Sequence, residues 1–293
     1  MLKYIVNANK WWLRPLFEDM QIASLRAAVR EQNLGNLSLL LQEAVLDITD
    51  QFTTFKIDSD FLRTKARSQH AFQIQLTLKA LHLLKANLPG KEISIVDIGD
   101  SSGTHLQYLR HILENDAGFA QFNLKLLSVN LDPVAIDKIR QKGMEAILSK
   151  AEVLFDEHDI QADLFLAYEM MEHLYDPITF LEGMSASARE ACFVLTVPYL
   201  VQSRVGLHHI RNEQNHAVYP ENTHIFELSP TDWKLVFNHS GWRVIHEGIY
   251  RQYPSRSWLR VMKPAWKKYD FEGFYGVILK KDRTWADCYK KGH

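Results

Sequence analysis

The stretch that most constrains this chain is residues 93 to 113, ISIVDIGDSSGTHLQYLRHIL. Ile93, Ile95, Val96 and Ile98 form a short apolar run, which is how a strand buried on both faces of a parallel sheet reads. The run breaks at Gly99-Asp100-Ser101-Ser102-Gly103, and Leu106, Leu109 and Leu113 then recur at helical spacing. Strand, small-residue turn and helix together make the ligand-cradling corner of a doubly wound α/β domain. Small residues matter there because they let backbone N–H groups approach a ligand at the helix N-terminus. The strict dinucleotide fingerprint G-x-G-x-x-G is not met by Gly99, Ser101 and Gly103. Taken alone, the turn is weak evidence, because a purely structural corner is the alternative.

The residues around this corner alternate as a parallel sheet with crossover helices requires. Leu124, Leu126, Leu127 and Val129 mark a second strand, residues 144–148 a third, residues 163–169 a fourth and residues 192–197 a fifth. Asp132-Pro133, Asp176-Pro177 and Ser229-Pro230 each read as a capping residue followed by proline at the first helical position. Two further strand-like runs, 243–250 and 273–280, complete the sheet, with a long connection between them over 254–272. Before the corner the chain is helical. Ile22, Leu25 and Val29 make one stripe, and Leu37, Leu41, Ala44, Ile48 and Phe52 a longer one. A third helix over 61–84 is apolar on two sides, Phe72, Leu76 and Leu83 against Ile74, Leu78 and Leu81, so it must be covered on both. Lys10-Trp11-Trp12 reads as buried aromatic packing or as a partner surface.

Composition narrows the function. With 34 basic and 35 acidic residues the formal net charge is −1, so no global field recruits nucleic acid or an anionic membrane. Cys192 and Cys288 are the two cysteines, which gives neither a disulfide framework nor a zinc spacing and suits a reducing cytoplasm. No apolar stretch approaches the ~18 residues of a membrane span, and no signal peptide is read at the N-terminus.

Three groups of residues carry a resemblance. The corner Asp97-Ile-Gly-Asp-Ser-Ser-Gly103 resembles the first motif of class I S-adenosylmethionine-dependent methyltransferases, with Ser101 in place of the middle glycine. Residues 163–181, DLFLAYEMMEHLYDPITFL, resemble the fourth-strand motif of that family's ubiquinone-pathway-like branch. TVPY at 196–199, ENTHIFELSP at 221–230 and FNHSGWRV at 237–244 resemble its later portions, in order and at matching spacing over roughly 65–280. The resemblance implies a Rossmann-like α/β fold: a seven-stranded, mostly parallel sheet with helices on both faces. The domain is expected over 61–293, behind a helical extension over 1–60 for which no counterpart is recognised.

The same resemblance implies site residues. Asp97, Gly99, Ser101 and Gly103 would support the cofactor's methionine and ribose portions, and Tyr168 and Glu169 would border the methyl group. Two positions depart from the family pattern. Asn130 replaces the acid that ends the second strand and accepts the ribose hydroxyls; an amide still accepts and donates. Lys150 stands where an acid would meet the adenine amino group, with Glu152 as a substitute if the loop shifts, while Asp132 reads better as an N-cap. Glu169, Glu172 and His173 form the trio that some relatives are proposed to use for a divalent metal; no metal is expected here, and His173 is read as a general base, with helix capping the plain alternative. His208, His209, Arg211, His216 and His224 fall where the family places acceptor-binding residues, and His224 is the strongest because it lies in the recognised motif.

The expected activity is methyl transfer from S-adenosylmethionine to an oxygen or nitrogen of a small-molecule acceptor, in the cytoplasm, with Glu172, His173 and His224 as the catalytic set. Neither nucleic acid nor membrane is an expected partner, and a homodimer through the N-terminal helices is allowed for. The competing reading is a binding or scaffold protein on a methyltransferase fold whose cofactor site is impaired at Ser101, Asn130 and Lys150. A nicotinamide dehydrogenase is disfavoured because the glycine fingerprint and the acid ending the second strand are both missing.

Overall fold

The structure is a computed structural model that describes residues 14–51, 56–85, 92–188, 191–205, 224–254 and 273–289. Its centre is a seven-stranded sheet of β1 (Glu92–Ile98), β2 (Asn123–Asn130), β3 (Glu145–Leu148), β4 (Leu164–Tyr168), β5 (Cys192–Pro198), β8 (Trp242–Tyr250) and β9 (Phe274–Lys281). The spatial order is β3-β2-β1-β4-β5-β9-β8. Strands β1 to β5 pair in parallel, and β9 is antiparallel to both β5 and β8. Strands β6 (Arg204–Val205) and β7 (Phe226–Glu227) form a separate two-stranded ribbon.

Side chains alternate across the sheet as the pleat demands. Ile93 and Ile95 enter one core, while Val96 and Ile98 enter the other. The first core is closed by α3 (Asp60–Lys85) and α4 (Thr104–Asn115), the second by α7 (Pro177–Ser187) and α8 (Pro230–His239). Helices α5 (Pro133–Gln141) and α6 (Leu154–Glu157) complete the crossovers. All three expected caps are present. Asp132 accepts from Val134 N, Asp176 from Thr179 N and Ser229 from Asp232 N, each with proline next in the chain.

As its two apolar sides require, α3 is a buried helix: Phe72 and Leu76 on one side, Ile74 and Leu81 on the other, all join the first core. The exception is Leu83, which is exposed. Close approach of α3 to the sheet depends on Gly276 of β9. A Cβ there would lie 2.3 Å from Leu76 Cδ1 and 2.8 Å from Phe72 Cε1. The N-terminal helices α1 (Arg14–Glu31) and α2 (Gly35–Ala44) contribute Val29, Leu34 and Leu41 to that same core.

The apolar stripe expected to run on to Phe52 does not make one helix. Helix α2 stops at Ala44, and Val45 turns extended. The Arg67 guanidinium, from α3, donates to the carbonyls of Leu41, Val45 and Leu46. It adds a second donor to Leu41 O, which already accepts from Val45 N, and holds the carbonyls of the two residues that follow the helix, so it fixes the chain as it leaves. Phe52 and Lys10-Trp11-Trp12 lie outside the described residues.

Candidate active site

The order of the parallel strands reverses between β1 and β4, and in open α/β sheets ligands bind at that switch, beyond the strands' carboxyl ends. The loop after β1 is Gly99 to Gly103. Both glycines adopt left-handed φ, +87° and +79°. Packing adds to this at Gly99, where a Cβ would lie 2.9 Å from Met170 Cγ; at Gly103 the nearest atom is the movable end of Met144, Cε at 2.2 Å, and the backbone angle is the firmer requirement. Met170 follows β4, so the two loops flanking the switch touch across it. Gly103 sits at the N-cap of α4 and offers no side chain to bond the first-turn N–H groups, which favours negative or polar ligand atoms nearby.

Beneath this loop lies a polar seam that the sequence reading did not anticipate. Asp97, Tyr168 and Thr196 come from the carboxyl ends of β1, β4 and β5, on the face that α3 and α4 cover. Asp97 Oδ2 accepts from His105 Nδ1 at 3.2 Å. The Tyr168 hydroxyl bonds Thr77 and donates to Gln73 O, and Gln73 Nε2 donates to Thr196 Oγ1 at 3.2 Å. His105 packs edge-on to Tyr168 and to His70, with centroids 4.7 and 5.0 Å apart. His70 Nδ1 in turn meets the Tyr108 hydroxyl, which accepts from Arg67. One signal was available: His70, Gln73 and Thr77 recur at i, i+3 and i+7, a polar row set among the buried apolar residues Ala71, Phe72, Ile74 and Leu76.

Asp100 is the most exceptional member. It is wholly buried, and neither oxygen has a well-formed hydrogen bond among the described residues. His105 Nδ1 lies 3.6 Å from its Oδ1. Burial and then the neighbouring Asp97 push its pKa up to about 7. Burial pulls the His105 pKa down, but the hydrogen bond and charge of Asp97 and the charge of Asp100 more than offset this and leave it raised. Burial, then the charges of His105 and Arg67, hold His70 well below its ordinary value, so that it is neutral.

A second acidic group stands at the end of β4. Glu169 takes a left-handed φ of +52°, rare for a residue with a side chain and a local strain. Burial and then Glu172 hold its carboxyl well above the usual range, and its Oε1 has no hydrogen bond. Glu172 is 1% exposed with both oxygens unpartnered, and burial is the main cause that lifts its pKa to about 7. His173 Nε2 lies 3.9 Å from Glu172 Oε1. The β6–β7 ribbon closes over this turn: Ile225 N donates to Glu172 O at 2.7 Å, and the rings of His173 and His224 meet edge to face at 4.7 Å. The structure therefore brings together Glu169, Glu172, His173 and His224. It adds Glu227, whose Oε1 is 2.8 Å from His224 Nδ1 while its Oε2 accepts from Arg204. His208, His209, Arg211 and His216 lie outside the described residues.

Among the described residues, two clusters place three metal-type ligand atoms within 4.8 Å of one another, Glu172–His173–His224 and Asp97–Asp100–His105. Spacing alone would admit a small cation in either. Neither supplies the six or more oxygens that calcium takes or the octahedral shell of magnesium.

The two positions that depart from the family pattern have different environments. Asn130 is engaged within the protein: its Nδ2 donates to Asp100 O at 2.8 Å, and its Oδ1 accepts from Asp132 N at 2.9 Å. An amide does both at once, as an ionised carboxylate cannot, and the result ties the end of β2 to the glycine turn. Lys150 is exposed at the N-cap of a short 3-10 turn. Glu152, the substitute considered for it, accepts from Tyr175 N at 3.3 Å. Ser101 is half-buried. Lys142 holds the turn from below, donating to Ser102 O at 2.7 Å. Exposed Leu131 and Leu148 flank Asn130, which pairs with Leu148 in the sheet, and leave an apolar rim there.

No family model matches the chain, and no curated protein matches its sequence. Solved structures do. A protein from Galdieria sulphuraria, assigned as a sarcosine dimethylglycine methyltransferase, superposes with a TM-score of 0.52 at 11% identity, over 75% of this chain and 88% of that one. The fold is that of the class I methyltransferases. The magnesium protoporphyrin IX methyltransferase of Synechocystis, solved with S-adenosylhomocysteine bound, is similar over 77% of this chain and 89% of its own, with a TM-score of 0.48 and 13% identity. Among the described residues, no helix is long and apolar enough to cross a membrane.

Proposed function

We propose that this chain is an S-adenosylmethionine-dependent methyltransferase acting on an oxygen or nitrogen of a small molecule. One observation carries the reading. At the topological switch, two pairs of acids, Asp97 with Asp100 and Glu169 with Glu172, hold buried oxygens that make no well-formed hydrogen bond among the described residues. Uncompensated acids at the ligand edge of such a sheet call for a cationic ligand. The cofactor's sulfonium and ammonium are such charges, so the residues fit its methionine end. Gly99, Ser101 and Gly103 would run beneath it, and the exposed Leu131 would suit the flat face of its base. The ribose contact is the weaker part of the fit, because both polar atoms of Asn130 are already engaged within the protein.

When bound, the cofactor supplies a methyl group activated by positive charge; the chain's own residues supply position and proton handling. Tyr168, held by Thr77 and Gln73, and Glu169 with its fixed backbone would border the transferred group. Glu172, His173 and His224 would face the acceptor, where an imidazole can take the proton a hydroxyl or ammonium gives up. Radiolabelled S-adenosylmethionine in equilibrium dialysis tests the reading: retention by wild type and loss with Asp97→Asn plus Asp100→Asn support it, and equal retention by both sinks it.

A second reading is a binding protein on the same fold. The engaged amide of Asn130 and the exposed cation of Lys150 favour it. It requires that S-adenosylhomocysteine leave the melting temperature unchanged, whereas a ligand bound at a hundred times its Kd stabilises by about 2.7 kcal/mol.

A further inference from the structure

We propose that Glu227, held by Arg204, is a positioning residue that fixes the tautomer of His224, and that His224, through its Nε2, takes the proton from the acceptor. The inference rests on the methyl-transfer reading and deepens it by naming the residue that orients His224.

The geometry is that of an oriented imidazole. Glu227 is 5% exposed, and its two oxygens are divided between two partners. Oε1 faces His224 Nδ1 at 2.8 Å, and Oε2 accepts from Arg204 Nε. A carboxylate can only accept, so the proton of a neutral His224 sits on Nδ1 and Nε2 carries the lone pair. The ring is then fixed from its other side by the edge-to-face contact with His173 and by the bond from Ile225 N to Glu172 O.

Among the described residues, the charges facing His224 come from three elements. Glu227 belongs to β7, Arg204 to β6, and Glu172 to the turn after β4, where His173 is also ionisable. Burial lowers the proton affinity of His224, but the hydrogen bond to Glu227 and the charges of Glu172 and Glu227 outweigh burial and Arg204, so its pKa is raised. In the step itself, the acceptor's heteroatom loses its proton to Nε2 of His224 and uses its lone pair to bond the methyl carbon. The carbon–sulfur bond breaks with its electron pair remaining on sulfur.

The test is imidazole 15N spectroscopy of histidine-labelled protein from pH 5 to 9, with His224 assigned by its loss in His224→Asn. In wild type we expect the Nδ1–H tautomer and a pKa above that of a free histidine. Glu227→Gln should lower the proton affinity of His224 by about tenfold, and Glu227→Asp should restore part of it. An Nε2–H tautomer in wild type overturns the proposal without any variant, and so does an unchanged His224 titration in a folded Glu227→Gln. Calorimetric titration of wild type with S-adenosylhomocysteine separates the two layers. Absence of binding removes the cofactor reading, while the tautomer result still decides the role of Glu227.

Discussion

Replacing Asp100 by Asn should stabilise the protein, and the gain should grow steeply with pH. Asp100 is wholly buried beside Asp97, without a well-formed hydrogen bond, and its pKa rises from the ordinary 3.8 to about 7. The folded protein therefore holds this proton more tightly than the unfolded chain, and the carboxyl opposes folding as pH rises. The penalty is absent below 3.8, grows between 3.8 and about 7, and is complete above that. At about 1.4 kcal/mol per tenfold in proton affinity, the ceiling is about 1.6 kcal/mol at pH 5 and about 4 kcal/mol at pH 8.5. Proton sharing with Asp97 and His105 reduces both figures but not their order. Urea unfolding of wild type and Asp100→Asn at the two pH values measures the difference. The gain should at least double from pH 5 to pH 8.5, and the same variant should bind S-adenosylmethionine more weakly. A gain independent of pH, or a variant less stable than wild type at pH 8.5, would refute the assignment of an uncompensated buried acid.

Three further outcomes follow from the packing and hydrogen bonds. Asn130→Asp, which restores the acid of the family pattern, should weaken rather than improve the protein. An aspartate cannot donate to Asp100 O, and it adds a third acid to the corner; a loss of about 1–3 kcal/mol in urea unfolding is expected. Gly276→Ala should cost about 1–3 kcal/mol through overpacking against Leu76 and Phe72, and pairing it with Leu76→Ala should give a favourable coupling in a double-mutant cycle. Arg67→Met should expose the end of α2, so hydrogen exchange of residues 35–46 should accelerate while β1 and β4 stay protected.

Much of the fold was legible because local chemistry and global architecture agree. Strand β1 reads as apolar on both faces because it is central, and the three Xaa-Pro starts become three capped helices. The C-terminal strands were found, although their antiparallel pairing was not stated in advance. Helix α2 misled because its stripe continues through Ile48, and the residue that ends it, Arg67, arrives from another helix. Asp97, Tyr168, Glu169, Glu172, His173 and His224 could be named as candidates because they sit on motifs with fixed spacing. Asp100, His105, His70 and Glu227 were not, since their meaning arises where separate elements converge. Asn130 shows the limit from the other side: a substitution that reads as a weakened ribose contact is, in three dimensions, a bridge between two loops.

The most direct test of the whole account is isothermal titration of the folded wild-type protein with S-adenosylmethionine near neutral pH. Saturable binding at one site per chain, weakened in Asp100→Asn, is the result expected of a cationic cofactor drawn to the acids beside Gly99. No heat at millimolar cofactor, with the protein shown to be folded, would leave the methyltransferase architecture without its chemistry.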